Sequence, residues 1–206
     1  MGKYWILMGD IVQSRRAPGN ELAGQFSSLI EYLNRQFSAA ILSPLTITLG
    51  DEFQGVVQDK KTGIAIILEA EKYIMANYEK LTIRFVLNYG EIETPINRAI
   101  AHGMLGSGLS ATRELINHLK TIKERYWIGE EGHANEVANQ LFYLYDTQVS
   151  NWKGADKKLA WQFLTLKDYK KVAAANGKHP SLMWKRERSL QIRAFETITQ
   201  LIQKIA

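Results

Sequence analysis

The chain contains no cysteine. That absence excludes a thiol nucleophile, a disulfide scaffold and a thiolate-ligated zinc. Proline is scarce, with four among 206 residues, so long regular elements meet few obligatory breaks. No run of about 18 or more apolar residues occurs, and no membrane span is expected. The opening MGKYWILMGD reaches an acidic residue after a very short apolar run and offers no small-residue cleavage site. It reads as a first strand rather than a secretory signal, and a cytoplasmic location is expected. The four histidines, His102, His118, His133 and His179, show no metal-ligand spacing. G-x-S-x-G, the P-loop and G-x-G-x-x-G are all missing. Gly103-x-x-Gly106-x-Gly108 is rich in glycine but follows no clear strand, and reads as a turn ahead of a helix.

What is present supports a folded core, since 46% of the residues are hydrophobic. The length permits one large domain, or one of about 150 residues with a small second one. Charge is uneven. Of the 26 basic and 21 acidic residues, those from Asn151 onward include 12 basic (9 Lys, 3 Arg) and 4 acidic, a net +8. The remainder carries 14 basic and 17 acidic, a net −3. A slightly acidic body with a strongly basic tail suggests an anionic partner for the tail, nucleic acid above all, although a solvated basic surface has the same composition.

Periodicity gives the order of elements. Tyr4 to Met8 is an apolar run that reads as a strand buried on both faces. Leu22, Phe26, Leu29, Ile30, Leu33 and Phe37 recur at helical spacing, with Asn20 as N-cap. Leu45 to Leu49 alternates, Gly50-Asp51 signals a tight turn, and Phe53 to Val57 reads as the returning strand. A second helix is expected over Thr62 to Tyr78 and a further strand over Leu81 to Leu87. Asn88-Tyr89-Gly90-Glu91 reads as a turn before a short strand at Ile92 to Ile96. The order β-α-β-β-α-β is that of a ferredoxin-like α+β unit, in which the first strand lies between the third and fourth. A helix near Leu109 to Leu119, a strand in Arg125 to Gly132 and a helix over Ala134 to Trp152 follow. Three regions are expected: an α+β domain over 1–133, a connecting helix over 134–151 and a basic helical domain over 152–206.

Two similar steps stand out, GDIVQSRR at 9–16 and GDEFQG at 50–55. Each ends an apolar run on Gly-Asp. In the ferredoxin-like order, Asp10 and Asp51 come to one edge of the sheet. Two close carboxylates repel unless a cation lies between them, and Mg²⁺ or Mn²⁺ with a phosphate is the usual combination. The plainer alternative is two turn-capping aspartates. Glu52 points to the face opposite Asp51 on strand geometry, which makes it the weaker ligand candidate.

The pattern strand-Asp-Ile-Val-x-Ser followed by strand-Gly-Asp-Glu-Phe resembles the palm of class III nucleotide cyclases and diguanylate cyclases. There, acidic residues at these places hold two metal ions on a nucleoside triphosphate. Nearer still, GDIV-x-SR, TLGDEFQG and the Gly-rich step into a helix with Ala-x-Arg (Gly106–Arg113) are similar to the bacterial SatD family, over essentially the whole chain. That resemblance implies metal binding by Asp10 and Asp51, phosphate contacts from Ser14, Arg15, Arg16 and Arg113, and a C-terminal helix-turn-helix. The chain departs from the cyclases at two places. Leu109 stands four before Arg113 where they carry Asn, and Thr46 and Thr48 precede the hairpin where they carry a base-selecting Lys. Cyclase activity is therefore not carried over.

In the tail, helices are expected over Lys157 to Leu166, Tyr169 to Ala175 and Pro180 to Phe195, with Asp168 as a cap and Asn176-Gly177 as a turn. Ala173-x-x-x-Gly177 has helix-turn-helix spacing. The third helix would then read DNA, with Lys185, Arg186 and Arg188 toward phosphates or base edges and Lys178 and His179 beside them. Lys178 and Glu187 stand where apolar packing residues are expected. The expected function is a DNA-binding transcription regulator whose palm holds a metal-nucleotide ligand, in a homodimer. The rival is a metal-dependent nucleotide cyclase or nucleotidyl-transferring enzyme using Asp10 and Asp51.

Overall fold

The computed structural model describes residues 2–12, 19–131 and 133–206, with the side chains of 19 and 20 also outside the description. Ser14, Arg15, Arg16 and the Asn20 side chain therefore lie outside the described residues. The described elements run β1 (Gly2–Ile11), α1 (Gly19–Gln36), β2 (Ile41–Ile47), β3 (Glu52–Val57), α2 (Lys60–Asn77) and β4 (Ile83–Ile92). Then come α3 (Ser107–Ile122), β5 (Tyr126–Glu130), β6 (His133–Ala134) and α4 (Glu136–Asn151). The tail holds α5 (Ala155–Leu166), α6 (Tyr169–Ala175), α7 (Pro180–Ser189) and α8 (Ile192–Lys204).

The sheet order is β2-β3-β1-β4-β5-β6, so β1 lies between β3 and β4 as the split β-α-β order requires. Every pairing is antiparallel except β4 with β5. Alternation sends Leu7 and Ile11 to one face and Ile6 and Met8 to the other. The first face carries Phe53, Phe85 and Leu87 and is covered by α1, α2 and the helices from α4 onward, in one continuous core reaching Phe195 and Ile202. The second is covered by α3 and the 93–106 connection, through Met104, Leu109, Ile116 and Leu119. The basic tail thus packs onto the α+β body and shares its core.

Two expectations are corrected. Asn88-Tyr89-Gly90-Glu91 is no turn, because β4 pairs with β1 without interruption from Ile83 opposite Ile11 to Ile92 opposite Gly2. The glycine there serves packing: a Cβ on Gly90 would lie 2.6 Å from the Cα of Gly108, so α3 rests backbone against backbone on the strand. Asn88 is fully buried beneath it and its Nδ2 donates to Thr112 Oγ1 at 3.1 Å. The third tail helix also stops early. α7 ends at Ser189 and Gln191 takes a left-handed φ of 54° before α8. The Leu190 carbonyl at this break accepts from Trp152 Nε1 at 3.0 Å and Gln148 Nε2 at 3.1 Å, and Leu190 itself is buried. These partners satisfy a helix-end carbonyl that a continuing helix would have used.

Candidate functional site

Asp10 is the second-last residue of β1, and the pairing on both sides fixes its surroundings. It lies opposite Glu52 on β3 and opposite Arg84 on β4. Directly opposed residues of an antiparallel pair share a face, so all three side chains emerge on the side covered by α3. The last turn of α3 adds Lys120. The direct cross-strand neighbour of Asp10 is therefore Glu52, where Asp51 was expected. Asp51 comes one step beyond, and its backbone carbonyl accepts the Ile11 N–H at 2.9 Å.

Asp10 is only 3% exposed, and both of its oxygens are engaged. Oδ1 accepts from Arg84 Nη1 at 2.7 Å, and Oδ2 lies 3.1 Å from Lys120 Nζ. Lys120 also reaches Glu52 Oε1 at 3.2 Å, bridging the two carboxylates. Arg84 is 7% exposed, and its Nε donates to the Glu124 carbonyl at 3.1 Å. Burial lifts the Asp10 pKa, Arg84 and Lys120 pull it back, and burial prevails, leaving it above the ordinary carboxylate value. Burial draws Lys120 the other way, but Asp10 and Glu52 together hold it above the ordinary lysine value.

This arrangement does not fit a divalent cation at Asp10. The charge that a metal ion would neutralise is already met by a guanidinium and an ammonium. Among the described residues no group of three or more His, Asp or Glu is placed to hold a metal.

Of the other expected ligand residues, Arg113 is exposed on α3, about 10 Å along the helix from Lys120, being seven residues earlier. It lines a different cleft, with Gln54, His102 and Asn117, so the structure does not bring it to Asp10. Arg84 and Lys120 were not read as site residues. The signal was there for Arg84: a lone arginine in Ile83-Arg84-Phe85-Val86-Leu87, on a buried strand, requires a partner.

In the tail, α6 and α7 are joined by a turn through Gly177, whose φ is +60°. Lys185 and Arg188 are exposed on α7, as is Lys178 ahead of it, and the Arg188 guanidinium stacks 4.9 Å over the Trp184 ring. Two expected DNA contacts have local duties instead. Arg186 is ion-paired to Asp156 on α5, and His179 is the N-cap of α7, its ring accepting from Ser181 N. Glu187 is half-buried, and burial together with Glu196 and Asp168 lifts its pKa. It is thus turned toward the body, where an apolar residue was expected.

A second ion cluster lies near the start of β5. Arg125 donates Nε to Asp146 Oδ1 at 2.7 Å, Nη1 to Glu71 Oε1 at 2.9 Å and to the Ile83 carbonyl at 3.1 Å, and Nη2 to Tyr126 Oη at 2.6 Å. One guanidinium thereby ties α2, β4, β5 and α4. Burial pulls its pKa down, but Glu71, Tyr126 and Asp146 hold it well above the ordinary arginine value.

A mixed α+β protein with a ferredoxin-like strand order, an ion-paired aspartate at a strand end and a basic helical tail is what the structure defines. The model of the SatD family matches residues 4–199, and the chain belongs to that family. No curated protein matches it. Among solved structures, a bacterial light-regulated adenylyl cyclase is 14% identical with a TM-score of 0.43, covering 61% of this chain and 74% of that one. The guanylyl cyclase Cya2 is 12% identical with a TM-score of 0.39, covering 57% and 70%. Scores this low transfer no activity. No helix among the described residues is long and apolar enough to cross a membrane.

Proposed function

We propose that this SatD-family chain is a DNA-binding regulatory protein that docks on the duplex through α6 and α7. The observation that carries the reading is the exposed basic edge of α7. Lys185 and Arg188 stand clear of the body, Lys178 precedes them, and Lys170 and Lys171 extend the positive surface onto α6. Arg186, ion-paired to Asp156, ties the helix to α5. Stacking on Trp184 leaves the planar Arg188 guanidinium edge available to phosphate or guanine. The reading is regulatory rather than catalytic, because Asp10, the central residue for a metal-dependent reaction on a nucleotide, has both oxygens committed to Arg84 and Lys120.

The test is fluorescence anisotropy with labelled duplex DNA over a series of salt concentrations. Binding should weaken steeply with salt, and Lys185→Ala or Arg188→Ala should each reduce the log–log salt slope by about 1, the release expected for one lost phosphate contact. Equal affinity of the Lys185→Ala/Arg188→Ala double variant and the unmodified chain would remove α7 from any DNA surface. No binding at low salt would end the proposal.

A further inference from the structure

A cleft away from α7 borders the Asp10 cluster, with Arg84 and Lys120 in its wall. It has a volume of ≈ 690 Å³ and lies where the start of β4 meets the end of α3, the end of α4 and the start of α5. Its ionic lining does not balance. Three carboxylates face it, and each is already satisfied: Glu71 and Asp146 by Arg125, and Glu79 by Lys158 at 2.6 Å. The two lining arginines and Lys120 are likewise committed, Arg84 to Asp10, Lys120 to Asp10 and Glu52, and Arg125 to its own pair. Three lysines remain: Lys123 at the end of α3, Lys153 in the α4–α5 connection and Lys157 in the first turn of α5. None of their ammonium groups has a hydrogen bond or ion pair to a described residue.

Lys157 is the informative one. It is half-buried, and burial first, then the repulsion of Arg125, pull its pKa below the ordinary lysine value, against the opposing attraction of Glu71. A long flexible cation normally escapes such a place by turning to water. Here it lines a cleft with two other unmatched cations. The same cleft includes Gly154, the N-cap of α5.

We infer that this cleft binds a small phosphate-bearing molecule of at least two negative charges, held by Lys123, Lys153 and Lys157. Lysines acting as point charges suit phosphate oxygens, and three of them match the multiple charge of a phosphate group. The cleft has room for a ligand of mononucleotide size, and Leu81, Val149 and Trp152 form part of its wall. It is formed jointly by the α+β body and the basic tail, so occupancy would bear on how the two are held together. The inference is independent of DNA binding by α7, and the failure of either leaves the other standing.

The test uses the full chain and inorganic pyrophosphate, by calorimetric titration and thermal unfolding at low salt. Pyrophosphate should raise the melting temperature saturably through linkage. Lys153→Gln/Lys157→Gln should weaken its binding about a hundredfold, since each lost charged hydrogen bond is worth roughly tenfold. The melting temperature of the unliganded variant checks that it folds. Should it fail to fold, Lys123→Gln/Lys153→Gln, at two exposed positions, gives the same reading. Absence of any pyrophosphate shift overturns the inference, as does undiminished binding by a folded variant or an equal shift from sodium chloride at matched ionic strength. If a saturating DNA duplex blocks pyrophosphate, the cleft belongs to a nucleic-acid surface and the small-ligand assignment is overturned.

Discussion

Replacing Arg125 by leucine probes the ion cluster that joins α2, β4, β5 and α4. The substitution removes four hydrogen bonds, to Asp146, Glu71, the Ile83 carbonyl and the Tyr126 hydroxyl. The decisive loss is at Glu71, whose side chain is 2% exposed and whose ion-pair partner is Arg125. Breaking a buried pair from one side costs about 3–5 kcal/mol, because the remaining charge has no compensation. Asp146, with 23% exposure, is partly screened by water and adds less. For a chain of this size about 3–5 kcal/mol corresponds to roughly 6–20 °C in melting temperature. Glu71→Leu/Arg125→Leu removes both charges, and thermal unfolding followed by circular dichroism should find it clearly more stable than the sum of the single changes predicts. A drop of less than about 3 °C for Arg125→Leu would mean that cleft water already screens the guanidinium, given about 2–4 °C per kcal/mol at this size. Additive single effects would refute the coupling itself.

Asp59 is the N-cap of α2, its carboxylate accepting from Thr62 N at 2.7 Å, and Asp59→Ala should cost about 1 kcal/mol by urea unfolding. That backbone hydrogen bond lowers the Asp59 pKa below 3.8, so its contribution is complete above the unfolded value and is lost as pH falls through the lower folded one; Asp59→Asn should flatten this acid limb. Gly90→Ala places a Cβ against the Gly108 backbone and should destabilise by about 1–3 kcal/mol through overpacking, whereas Gly24→Ala, with open space around it, should not. Lys157 has a lowered pKa, so between that value and about 10.5 the free protein holds it partly neutral, and an anion bound beside it restores the charge. Pyrophosphate binding in that window should take up protons, seen as a buffer-dependent enthalpy, and Lys157→Gln should abolish the uptake.

The β-α-β-β-α-β order was legible because each element carries its own signal. A continuous apolar run marks β1, alternation marks β2, helical spacing marks α1, and Gly50 with φ +82° marks the hairpin. Asn88 to Glu91 misled for a physical reason. Asn and Gly favour turns when local chemistry decides, but here Gly90 is set by the close approach of Gly108, some 18 residues away in sequence. The α7–α8 break was equally hidden, since its cause lies in Trp152 and Gln148 reaching Leu190 from α4 and just beyond. The candidate site was half legible. Asp10 stands where the strand-end motif suggested, but its partners depend on register, which one residue's shift would reverse. Glu52 was read as the weaker ligand candidate, yet the β1–β3 register sets it directly beside Asp10. Lys120, Lys123, Lys153 and Lys157 come from three helix ends, and no local pattern links them.

The two ion clusters are adjacent through the backbone as well as the cleft. Arg84 holds Asp10 with one nitrogen and the Glu124 carbonyl with another, and the next residue, Arg125, has its own carbonyl bound to Phe85 N at 2.7 Å. Strand β4 therefore carries both clusters to the same cleft, one facing α3 and the other facing α2 and α4. Lys120 differs from the arginines in being 39% exposed on a flexible stem, with two carboxylates sharing its charge. An anion entering beside Lys123 would attract Lys120 first, because moving one exposed ammonium disturbs less than breaking a buried fork. Asp10 would then retain Arg84 alone. The acidic step at the end of β1 thus supplies the counter-charge for Arg84 and Lys120, the two cations that the Asp10 cluster lends to the cleft wall.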